Sequence, residues 1–195
     1  MNLNEFAKEV HENAVAHGFW DKPDPFDKIC ADIISELSEA LREYEAGRPM
    51  EWHVCEIDIT PCTESECKPW KGYGFKESAK PYKPEGIAVE MADCAMWILD
   101  YLGSTECRFG AGTSDLDLSR YKELTRAFMA VSRSIVFAYE DWTLGVDPMF
   151  VDDSITHALS VILAWFEANK LDFEAIARCK HEYNKTRPYK HGKAF

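Results

Sequence analysis

The stretch Ile87-Ala88-Val89-Glu90-Met91-Ala92-Asp93-Cys94-Ala95-Met96-Trp97-Ile98-Leu99 is apolar around almost the whole circumference of a helix, apart from its two acids. A helix that is apolar all round belongs in a protein interior. A carboxylate carried there needs a cation, a hydrogen-bond network or a raised pKa. Glu90 and Asp93 stand three residues apart, which sets both on one helix face. The sequence therefore predicts a buried helix from Pro84 to about Leu102, stopped by Gly103, with a matched acid pair on one side.

Upstream, a helix is expected from about Phe26 to Ala46, ended by Gly47 and Pro49, with Ile29, Ile33, Leu37, Leu41 and Tyr44 on its apolar stripe. It carries its own pair at the same spacing, Glu36 and Glu39, which Asp32 and Glu43 extend by one turn each way. A first helix is expected from Leu3 to about Gly18, with Phe6, Val10 and Val15 on one side. Downstream, helices are expected over Leu118 to Asp141, Asp153 to Asn169, and Leu171 to near Pro188. Residues 48–83 hold prolines, glycines and cysteines without sustained periodicity, the pattern of a long binding loop or lid. Val54 to Thr60 alternates enough for a short hairpin arm. The whole reads as one all-α domain, a helical bundle over residues 1–195.

Composition removes several classes. The chain has 195 residues, enough for a real core, and 46% of them are hydrophobic. A net charge of -12 argues against binding a nucleic-acid polymer, which needs a basic footprint. Met1-Asn2-Leu3-Asn4-Glu5 lacks the pattern of a signal peptide. No apolar run approaches the roughly 20 residues of a membrane span, so no membrane partner is expected. The seven cysteines are odd in number and irregularly spaced, which reads as reduced cytoplasmic thiols. Cys55, Cys62 and Cys67 lie in one loop without the close pair that zinc sites favour.

Two acid pairs on two packed helices would form an oxygen-only site, suited to Mg2+ or Mn2+. Glu36, Glu39, Glu90 and Asp93 are the expected ligands. The competing reading satisfies these acids with basic side chains. A di-iron bundle is excluded because no histidine follows a glutamate by three residues. The Asp115-Leu116-Asp117 start of an EF-hand lacks its glycine, and no P-loop is present. On the last helix Lys180, Asn184 and Arg187 fall at i, i+4 and i+7. That face offers two cations and an amide to phosphate oxygens, with Lys185 and Lys190 nearby; it also reads as a basic helix C-terminus.

Taken together, these blocks resemble the MazG-like all-α nucleoside triphosphate pyrophosphohydrolases. The Glu-x-x-Glu and Glu-x-x-Asp pairs are similar to that family's acidic motifs. The tail from Lys180 through Asn184, Lys185, Arg187 and Tyr189 resembles its Lys-x-x-x-Asn-x-x-Arg segment. His11 followed by Trp20 is similar to the base-contacting positions of members that hydrolyse dCTP. The blocks cover about half of the chain. The loop at 48–83 and the helices within 104–170 depart from minimal members.

The resemblance implies Mg2+-dependent hydrolysis of a nucleoside triphosphate to the monophosphate and pyrophosphate, as nucleotide-pool housekeeping. It implies a homo-oligomer, dimer or tetramer. Glu39 is the candidate general base. Two other functions stay open: a non-catalytic helical module whose acids hold a structural cation or a basic partner, and hydrolysis of a nucleotide conjugate.

Overall fold

The computed structural model describes residues 1–22, 24–54, 61–62, 83–105 and 108–192. Among these residues six α-helices make up a bundle: α1 Leu3–Ala16, α2 Phe26–Glu45, α3 Ile87–Ser104, α4 Leu124–Thr143, α5 Pro148–Ala168 and α6 Phe173–Lys185. Three very short strands, β1 Trp52–Val54, β2 Pro61–Cys62 and β3 Pro84–Glu85, pair antiparallel in the order β2-β1-β3. The expected hairpin arm over Val54 to Thr60 mostly lies outside the described residues, as do Cys55 and Cys67.

Helix α3 is the axis of the bundle. It packs against α1, α2, α5 and α6, and most of its residues are buried. This follows from its all-round apolar sequence. It begins at Ile87, not at Pro84. Pro84 and Glu85 pair with β1, and Gly86 sits at φ 115, a conformation only glycine adopts without strain. A side chain at Gly86 would also stand 2.6 Å from the Met50 carbonyl oxygen.

Helices α2 and α3 run antiparallel: the Phe26 ring meets Tyr101, the Cys94 thiol donates to Ile33 O, and Glu36 and Glu39 meet Glu90. Helix α1 also opposes α3, with His11 beside Asp100 and Ala7 against Gly103. A Cβ at Gly103 would lie 2.4 Å from Ala7 O, so glycine permits this close approach.

Local signals set the ends. Asn2, Asp147 and Asp172 cap α1, α5 and α6 through their side chains. Gly47 and Gly145 take positive φ just past α2 and α4. Helix α5 starts at Pro148, earlier than the expected Asp153, because proline at the first helical position loses no hydrogen bond. Residues Leu118–Tyr121 form a separate 3-10 turn before α4.

The buried stripe of α2 is Phe26, Cys30, Ile33, Leu37 and Ala40. Ile33 and Leu37 match the expectation, while Tyr44 is exposed because α2 runs past the start of α3 at Ile87; Val15 is exposed because it lies about 140° around α1 from Val10. Helix α5 is long and apolar enough, by length and composition, to cross a membrane. Its apolar residues Ile155, Leu159, Ile162 and Phe166 instead fill the bundle core.

Candidate metal centre

Glu36 and Glu39 project from α2 towards Glu90 on α3, and the three residues place ligand oxygens within 4.8 Å of one another. Glu90 is almost fully buried, while the glutamates of α2 are half-buried at the mouth. Trp97, two turns along α3, donates its indole N–H to Glu36 at 3.3 Å, which orients that carboxylate. Arg42 lies 3.2 Å from Glu39.

The fourth expected ligand has a different neighbour. Asp93 Oδ2 lies 3.1 Å from Lys180 Nζ, and Lys180 also approaches Glu90 Oε2 at 3.8 Å. Lys180, expected at a phosphate, is thus buried between two acids of α3. Burial alone would lower its pKa, but Asp93 and Glu90 outweigh that and hold it above the ordinary lysine value. Glu90 is pushed up to about 9, first by burial, against the lowering effect of Lys180, and with Asp93 and Glu85 raising it further. With its pKa at about 9 Glu90 holds a proton near pH 7, and a divalent cation bound among Glu36, Glu39 and Glu90 would displace it.

These acids line a cleft that is open to solvent. Lys180, His181 and Asn184 of α6, Arg187 just past its end, and Lys83 also line it. Lys83 pairs with Glu85. Among the described residues, His181 Nε2 and Asn184 Oδ1 are buried without a hydrogen-bond partner. Unpaired buried polar atoms are uncommon in folded proteins, and here both residues line the cleft. His181 is held down to about 4, chiefly by burial, so its ring is neutral near pH 7.

The remaining expected contacts are spread out. His11 and Trp20 meet edge to face at 4.7 Å between ring centroids. Both turn their polar atoms to Asp100: His11 Nδ1 at 2.8 Å, and the Trp20 indole N–H at 3.0 and 3.1 Å from its two oxygens. Trp20 lines a smaller pocket beside the main cleft, shared with Phe19, Trp97 and Asp100. Lys185 is exposed and pairs with Glu182 at 2.6 Å, away from the cleft lining. Tyr189 is exposed; its ring lies against Gly18 and its hydroxyl donates to Asp21.

Asp100 was not among the expected site residues. It is buried, and burial pushes it up to about 6 against the lowering hydrogen bonds of His11 and Trp20. A signal for it existed: Glu90, Asp93 and Asp100 stand at i, i+3 and i+10, on one face of α3. His181 and Trp97 carried no such signal, since each looks like an ordinary core aromatic. Against known proteins, the chain matches no family model, no curated protein and no solved structure.

Proposed function

We propose that this protein binds a divalent cation, Mg2+ or Mn2+, through Glu36, Glu39 and Glu90, with Asp93 beside them. The convergence of three carboxylates from two helices within 4.8 Å carries this reading. Oxygen-only ligands suit hard cations. Titration of the protein with Mg2+, Mn2+ and Ca2+ by calorimetry tests it. Saturable heat from wild type that Glu36→Gln loses supports the site; no heat from any of the three sinks it.

A finer proposal concerns what the cation does there: hydrolysis of a nucleoside triphosphate to its monophosphate and pyrophosphate. The presence of Arg187 in the same cleft as the acids supports it. Arg187 suits phosphate oxygens through its planar fork. The partly exposed Glu39 is placed to accept a proton from an attacking water. Asn184 and His181 offer neutral hydrogen-bonding groups to the ligand, and Trp20 an aromatic edge near a base. When bound, a divalent cation supplies charge neutralisation at the phosphates.

The Lys180–Asp93 pair favours a second reading, a non-catalytic helical module holding a structural cation, because it occupies the fourth acid. A nucleotide panel scored for pyrophosphate release, with and without Mg2+, separates the two. Metal-dependent release supports the enzyme; cation binding without release from any nucleotide supports the module.

A further inference from the structure

Helix α4 presents an outward face that the bundle does not use. Met129, Arg133, Val136, Phe137, Glu140 and Leu144 are all exposed, Met129 to 66% and Leu144 to 77%. At 100° per residue they fall within about 100° of arc, one continuous stripe. Large apolar side chains gathered on one exposed stripe mark an interaction surface.

The stripe is symmetric about the midpoint between Val136 and Phe137. Met129 and Leu144 are equidistant from that point, and so are Arg133 and Glu140. We propose that α4 is the contact helix of a two-fold dimer in which it packs antiparallel against α4 of a second copy. Val136 of each chain then meets Phe137 of the other beside the axis. Arg133 of each chain faces Glu140 of the other, twice over, and each Met129 covers a Leu144. An isologous contact must be self-complementary in this way, and charge complementarity sets its register. The cation–π contact of Arg133 over Phe137, 5.0 Å from the ring centroid, holds the guanidinium on the stripe. A parallel pairing would instead set Arg133 against Arg133 and Glu140 against Glu140.

The test uses sedimentation equilibrium of the full chain at micromolar concentration. Wild type is expected to be dimeric. Arg133→Glu alone and Glu140→Arg alone each set like charges opposite one another twice, and each is expected to weaken the dimer about tenfold or more. Both positions are exposed, and circular dichroism verifies that the variants stay folded. An equimolar mixture of the two single variants restores complementarity and is expected to form the heterodimer. A wild-type chain that stays monomeric, single variants that dimerise like wild type, or a mixture that fails to associate each overturns the proposal. Wild-type association with another protein or a lipid surface in place of itself counts in the same direction.

Discussion

Lys180 of α6 reaches Asp93 of α3 at 3.1 Å, an almost fully buried lysine closing the gap between two helices beside the glutamate cluster. The pair has two consequences. It ties α6 to the central helix, and it leaves Glu36, Glu39 and Glu90 as the acids that could hold a metal ion.

Removal of one partner strands the other charge. From the acids alone, Asp93→Asn would be expected to cost little stability, since it relieves repulsion among carboxylates. The Lys180 contact changes this expectation: the variant should lose about 3 kcal/mol in EDTA, and Lys180→Met a similar amount. Urea unfolding in EDTA measures both. An Asp93→Asn protein as stable as wild type would show that Lys180 is satisfied without it.

Cation binding should raise the melting temperature, because a ligand that binds only the folded state stabilises it by mass action. Mg2+ is expected to shift the wild-type melt upward in a concentration-dependent way. Glu36→Gln should show no shift, yet melt at or above wild type in EDTA, since it removes one of several neighbouring negative charges. Equal Mg2+ shifts in both proteins would place the cation elsewhere.

If the cleft hydrolyses a triphosphate, Arg187→Ala should lower kcat/KM by roughly 1.5–3 kcal/mol, about ten- to a hundredfold, through loss of a charge-assisted contact to phosphate. The melt should be almost unchanged, because Arg187 is only partly buried. Steady-state pyrophosphate release reads the first quantity and a thermal scan the second. Unaltered kinetics would assign the residue to the surface.

His181 gives a pH dependence of definite sign. Its ordinary value near 6.5 is depressed to about 4 in the folded chain, so it is neutral in both states above pH 6.5. As pH falls from there to about 4, the unfolded chain takes up the proton first and the native state loses stability, by roughly 3 kcal/mol at full extent. Asp100, raised to about 6, works in the opposite direction over an overlapping range. The comparison of wild type with His181→Gln cancels that contribution: the stability difference should shift against wild type between pH 6.5 and 4. A constant difference across that range would mean that the ring titrates normally.

The central helix and the two acid pairs are legible from the chain alone. Apolar residues on all sides of Ile87–Leu99 admit no position but the interior, and i,i+3 spacing holds within any helix regardless of its neighbours. Capping residues and glycines likewise marked most helix ends, since they act within a turn or two of chain. Which groups meet depends on how the helices pack. Whether Lys180 serves a ligand or neutralises Asp93 depends on the distance between α6 and α3, and neither helix encodes that distance alone. The same holds for His11 and Trp20, brought together by a third residue, Asp100, some 80 positions along the chain from Trp20. Tyr44 lies on the apolar stripe of α2 yet faces solvent, because a stripe records which side of a helix is apolar but not how far the partner helix extends. Periodicity is a local property of the chain; pairing, burial of charge and the shape of the cleft arise only when helices distant in sequence pack together.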